Sequence, residues 1–175
     1  MLLFKNILLV AALFFTSSCG FEPVYQKKPG SDAVNDDLAQ VEIHNLRDKI
    51  DYNDRLGQTL KNLLLDRFNP YGRPQSPFYK LDVKLQSAKT ELGFNIVDEA
   101  TRAKLTLNAE YVLSESTTNA VLFRGSSRSI NSYNIISSDF ATLSAEKNAF
   151  DRGTREIADD ITLRISTFFH NLRRS

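Results

Sequence analysis

Two pairs of basic residues stand four apart in this chain, Lys80 with Lys84 and Arg124 with Arg128. In an extended strand, residues at that spacing project from one face. The chemistry this suits is anion recognition. A guanidinium offers phosphate a planar fork, and an ammonium offers a point charge. Lys104 falls on the same parity of another alternating stretch. The bland alternative is a solvated sheet face on which Asp82 and Glu110 balance the lysines. Covalent catalysis has a weaker case. Ser144 and Lys147 reproduce the S-x-x-K spacing of serine–lysine acyl enzymes. That motif needs S-D-N and K-T-G companions to complete a site, and only Lys89–Glu91, reading KTE, comes near. His44 and His170 each lack a second ligand at metal spacing. Asp159 and Asp160 are adjacent, so on a helix their side chains diverge by about 100°. Gly93, Gly125 and Gly153 are isolated and form no phosphate loop. These residues predict no enzyme, no metal and no diffusible cofactor.

The single cysteine carries a different chemistry. Cys19 follows an uncharged run from Ile7 to Phe15, with Lys5 the only charge before it. Nine apolar residues are far short of the roughly 20 that cross a bilayer as a helix. Together with the small residues Thr16, Ser17 and Ser18 they predict a cleaved secretory signal over residues 1–18. A small residue before a cysteine at this place resembles the bacterial lipoprotein signal, although Thr16 stands where such signals usually carry Leu. The resemblance implies cleavage before Cys19, an S-diacylglycerol on its thiol and an N-acyl chain such as palmitate on its new amine. Three chains anchor firmly where one would not. Gly20 in place of Asp after the cysteine favours the outer membrane. The competing reading is ordinary secretion with a free thiol.

Removing the leader leaves 157 residues with 21 basic and 21 acidic side chains. A chain with no net charge is not built to bind nucleic acid by bulk electrostatics. Its length suits one domain with a real core. Residues 19–37, rich in Lys, Asp, Asn, Pro and Gly, read as a lipidated tether, leaving 38–175 as the domain.

The elements that must position the basic pairs follow from periodicity. Val41 and Ile43 alternate with Glu42 and His44, which predicts a short strand. Leu56, Leu60, Leu63, Leu64 and Phe68 recur at helical spacing, capped by Asn53 or Asp54 and stopped by Pro70, Gly72 and Pro74. Tyr79, Leu81, Val83 and Leu85 alternate with Lys80, Asp82, Lys84 and Gln86, and the pattern runs on through Leu92 and Phe94. After a turn near 97–99, Ala103 to Leu113 alternate again over an unusually long strand. A tight turn at Thr117–Asn119 leads to a third strand of this set, where Phe123 and Tyr133 oppose Arg124 and Arg128. The final segment starts at Ser138 or Asp139 and carries Phe150, Ile157, Ile161, Ile165, Phe168 and Leu172 in one stripe, with Gly153 as an interior weak point. The predicted class is α+β: two helices on one face of a four-stranded mixed sheet, in the order β-α-β-β-β-α. The other face is then open and mostly polar.

Three stretches carry a family resemblance. They are CGFEPVY at residues 19–25, the leucine-rich helix with its Pro-Gly stop and following strand at 55–85, and the hairpin end SINSYN at 129–134 with the helix after it. Their order and spacing resemble the LptE family of lipopolysaccharide-assembly lipoproteins. The resemblance implies two helices on a four-stranded sheet, a Gram-negative outer-membrane location on the periplasmic side, and a place as a plug in the lumen of the LptD β-barrel. It implies that barrel, lipopolysaccharide and the outer-membrane bilayer as partners. Cys19 carries over as the lipid site. Arg124, Arg128, Lys84 and Lys104 as lipopolysaccharide contacts rest on chemistry and placement, without a matched family motif. The alternative function is an auxiliary lipoprotein of a periplasmic lipid-transport ABC system, and the enzyme alternative is a lipid-anchored hydrolase using Ser144 and Lys147.

Overall fold

The computed structural model describes residues 34–48, 54–94 and 100–174. Cys19, the leader, most of the tether, Asn53 and the turn at 97–99 lie outside these residues. Helix α1 (Val34–Ala39) leads into β1 (Val41–Asp48) and α2 (Asp54–Phe68). Strands β2 (Tyr79–Phe94), β3 (Ala100–Glu115) and β4 (Val121–Asn134) follow, and α3 (Asp139–Leu172) closes the chain. The four strands form one sheet in the order β1-β2-β3-β4. β1 pairs with β2 in parallel, and the other pairs are antiparallel. This is the predicted α+β order, with α1 added before it.

The period-two pattern of the strands becomes a buried face. Leu81, Val83 and Leu85 of β2 and Ala103 to Leu113 of β3, taken alternately, are almost fully buried under the helices. Leu60, Leu64 and Phe68 of α2 and Ile157, Ile161, Ile165 and Phe169 of α3 meet them. Removing apolar surface from water at this interface is the main stabilising term. The aromatic cluster Tyr79, Phe168 and Phe169 ends the core, with rings 4.9 and 5.5 Å apart.

The ends of the elements have local causes. Ser138 caps α3, its hydroxyl accepting from the Ala141 N–H at 3.4 Å. The β3–β4 turn is closed by Glu115 N–H to the Ala120 carbonyl at 2.9 Å. Asn119 takes φ 57° there, a left-handed geometry that Asn tolerates better than most. After α2, Gly72 turns the chain at φ 111°.

Three expectations need correction. The folded body begins before residue 38: Val34 and Leu38 of α1 are buried, and Arg173, just after α3, donates to Asp37 at 2.6 Å. Leu172 leaves the apolar stripe and is 53% exposed, on the last turn of α3. Gly153 is not a weak point but a close contact. A Cβ there would lie 2.8 Å from Leu107 Cδ1 and 3.1 Å from Ser129 Oγ.

α3 also buries residues that no apolar pattern marks. Thr154, Thr162 and Ser166 sit in the core beside Ala149, Gly153 and Ala158. Their hydroxyls donate back to the carbonyls of Phe150, Ala158 and Thr162 at 2.8, 2.7 and 2.7 Å. A hydroxyl satisfied within its own helix can be buried at little cost. Ser127 and Ser129 of β4 are likewise buried, and they give α3 a shallow surface to lie on.

Candidate functional site on the open sheet face

With the helices on one side, the even-numbered residues of β2, β3 and β4 project from the other. The strand register decides which of them meet. Asp82, Val112 and Arg124 share one rung. Lys84, Glu110 and Ser126 share the next, and Gln86, Asn108 and Arg128 the one after. The charges of β2 are balanced as expected. Lys80 lies 3.7 Å from Asp82, and Lys84 lies 3.8 Å from Glu110. Among the described residues, neither Arg124 nor Arg128 has an ion-pair partner.

Lys80, Asp82, Lys84, Glu110 and Arg124 surround a shallow depression of about 590 Å³. Its floor includes Gly125 and Tyr111. Tyr111 is 1% exposed, and burial pushes its phenol up to about 12. The floor is sheet backbone, since the Tyr111 ring turns to the helix side, and the rim of three cations and two carboxylates around so open a depression suits an extended anionic group better than a small enclosed ligand.

The four predicted contact residues do not form one cluster. Lys84 and Arg124 line the same depression. Arg128 lies four residues along β4 from Arg124, roughly 14 Å away at strand rise. Lys104 shares its rung with Thr90 and Ser132, three rungs from Lys84 and roughly 20 Å along the strands. Lys80, which flanks the depression, belongs with Lys84 and Arg124.

The other candidates are dispersed. Ser144 and Lys147 are exposed near the start of α3. His44 is exposed on β1, beside a small cleft shared with Lys61, Asn69 and Arg73. His170 stands near the far end of α3. Among the described residues no three His, Cys, Asp or Glu side chains gather to hold a metal. Asp159 and Asp160 diverge as expected but are not simply solvated. Asp159 receives Arg67 of α2 at 2.5 Å, and Asp160 receives Arg164 at 2.8 Å.

A second recess escaped sequence analysis. It lies beside the start of β4 on the helix side, lined by Phe123, Leu163, Arg164, Thr167 and Phe168, with a volume of about 410 Å³. Leu163 sits off the buried stripe of α3 and is 53% exposed. Its position was readable from the helical period; its neighbourhood with Phe123 was not.

Among the described residues, no helix is long and apolar enough to cross a membrane.

Comparison with known proteins adds a family. The family model described as LptE, lipopolysaccharide-assembly, matches residues 38–165. Among curated proteins there is no significant match. Several solved structures share the fold. A protein from Caulobacter crescentus superposes with a TM-score of 0.59 at 18% identity, over 77% of this chain and 94% of that one. Rare lipoprotein B from Shewanella oneidensis gives 0.54 at 13% identity, over 74% and 97%. Lipoprotein B from Nitrosomonas europaea gives 0.54 at 11% identity, over 83% and 92%. At these identities the likeness is one of fold.

Proposed function

The chain belongs to the LptE family of lipopolysaccharide-assembly proteins, and on that premise we propose that it is a lipid-anchored component of the outer-membrane lipopolysaccharide translocon. Cys19 carries the acyl anchor and holds the domain at the periplasmic side of the outer membrane. The domain plugs the lumen of the LptD β-barrel, assists the assembly of that barrel, and guides lipopolysaccharide toward the outer leaflet. The action is steric and electrostatic rather than catalytic.

The observation that supports this reading is the open sheet face. One side of the sheet is covered by helices, while the other presents Lys80, Lys84, Gln86, Asn108, Glu110, Arg124, Ser126 and Arg128 without any cover among the described residues. A surface that mixes both charges fits the polar interior of a large barrel. On it, Arg124 and Arg128 are cations with no carboxylate partner among the described residues. Phosphates of an anionic glycolipid supply that partner, in the charge-assisted geometry that guanidinium favours. Lys84 stands in the same depression as Arg124 and adds to it. Lys104 contributes at a separate point further along the face.

The test is binding of purified lipopolysaccharide to the folded domain. Arg124→Glu combined with Arg128→Glu is expected to weaken binding by about tenfold or more while circular dichroism stays unchanged. Unaltered binding by a folded double variant would remove the arginines from the reading.

A further inference from the structure

β4 ends the sheet, and among the described residues no strand lies beyond it. The direction of its backbone groups can be worked out. The Ile135 N–H donates to the Thr101 carbonyl at 2.9 Å, which makes that pair a hydrogen-bonded one. The register then runs without a shift from Arg102–Asn134 to Leu113–Phe123. Hydrogen-bonded pairs alternate along an antiparallel ladder. The odd residues of β4 therefore turn their N–H and C=O groups toward β3. Arg124, Ser126, Arg128, Ile130 and Ser132 turn theirs outward, away from the sheet.

An edge of this kind is normally blunted by lysine, proline, bulges or shortness. β4 is 14 residues long and contains neither Lys nor Pro, with Arg124 and Arg128 its only charges. Its one register shift is at the very start, across from Leu113 and Ser114. The opposite edge, β1, is shorter, with 8 residues and a shift between Ile43 and Leu46.

Beside the start of this edge lies the apolar recess of Phe123, Leu163, Thr167 and Phe168. The arrangement has the two parts of strand addition: main-chain hydrogen bonds along an edge, and a pocket that selects alternate side chains. We infer that β4 accepts an extended segment of a partner polypeptide as a fifth strand, with an apolar side chain entering the recess opposite Phe123 and acidic side chains opposite Arg124 and Arg128. The charge preference follows from the edge itself. A basic residue placed directly across from either arginine would be repelled, and an acidic one attracted. The apolar and acidic positions are adjacent because neighbouring residues of a strand point to opposite faces. This inference goes beyond the lipopolysaccharide reading and stands whether or not that reading does.

The test uses a capped octapeptide alternating Leu or Val with Glu, added to the folded protein and followed by amide hydrogen exchange. Outward amides of β4 within the eight residues that pair with the peptide, at Arg124, Ser126, Arg128 and Ile130, are expected to slow by tenfold or more, with the odd-numbered amides little changed. The same peptide with Lys for Glu, or with its backbone nitrogens methylated on one edge, is expected to give no protection. Ser126→Pro removes one outward N–H without touching the ladder to β3 and is expected to abolish protection in a protein with unchanged circular dichroism. If that variant does not fold, the methylated peptide carries the same test from the other side. No slowing at millimolar peptide, or equal slowing by the lysine or methylated peptides, would overturn the inference. Slowing without peptide that grows with protein concentration would also overturn it, by assigning the edge to a second copy of this chain.

Discussion

Gly125 and Tyr111 face each other directly across the β3–β4 ladder, and a Cβ on Gly125 would lie 2.5 Å from both Cζ and the hydroxyl oxygen of Tyr111. The missing side chain is what allows the Tyr111 ring to be buried at this point. The backbone of the same pair forms part of the floor beneath Arg124 on the opposite face. Core packing and the shape of the open face are therefore coupled at one residue.

Gly125→Ala forces the ring or the strand to move. Overpacking of this sort costs about 1–3 kcal/mol, read as a lower urea midpoint. Tyr111→Phe tests the other partner. The Tyr111 hydroxyl is buried and has no hydrogen-bond partner among the described residues. Removing it is expected to leave stability unchanged or slightly raised, since an unsatisfied buried group is costly to keep. A large loss in Tyr111→Phe would contradict the packing described.

Alkaline pH probes the same ring. Burial raises the phenols of Tyr111, Tyr79 and Tyr133, with Tyr111 reaching about 12 against an ordinary 10.0. The unfolded chain gives up these protons first. Stability is thus fully present below about pH 10 and falls as pH rises toward 12. Tyr111 alone contributes roughly 2–3 kcal/mol to that fall. Denaturant midpoints should be flat through neutrality and drop steeply above pH 10. An equal slope between pH 7 and pH 9 would contradict this.

Gly153 gives a sign test. In an exposed helix, Gly→Ala stabilises by about 1 kcal/mol. Here the new methyl meets Leu107 Cδ1, Ser129 Oγ and Asn131 Nδ2. Gly153→Ala is expected to gain nothing and to lose up to about 2 kcal/mol. Gly153→Val, which is larger and β-branched, should lose more. A thermal midpoint above that of the parent would show that α3 can lift off β4 freely.

These positions mark where the sequence was readable and where it was not. Strand alternation from Leu81 to Leu85 and from Ala103 to Leu113 translated directly into burial, because one face of the sheet meets helices and the other does not. The helix start at Ser138 or Asp139 and the tight turn at Thr117–Asn119 were readable for local reasons, and the structure places the cap on Ser138 and the left-handed residue at Asn119. The helix at Val34–Ala39 was not readable, because it is one and a half turns long and buries only Val34 and Leu38. Thr162 and Ser166 were missed because hydroxyls read as surface until their carbonyl partners are known, and Ser127 and Ser129 because the strand pattern does not show that α3 lies on them. On the open face, parity put Arg124 and Arg128 on one side correctly. Parity says nothing of register, so Lys104 could not be separated from Lys84 nor Lys80 joined to Arg124.

The anchor has its own test. Cys19→Ala is expected to move the protein from the membrane fraction to the soluble periplasmic fraction without changing its fold. Intact mass of the parent should show cleavage before Cys19 and the added acyl groups. A membrane-bound Cys19→Ala variant, or a parent with a free thiol, would refute lipidation at this residue.

The most direct test of the translocon reading is co-purification. The chain, tagged beyond Ser175, is expressed in its native membrane, extracted in mild detergent, and its companions are identified and quantified. One large outer-membrane β-barrel in near-equal amount is the predicted result. Inner-membrane transporter subunits in its place would contradict it, and would leave the family likeness standing for the fold and the anchor while reassigning the machine it serves.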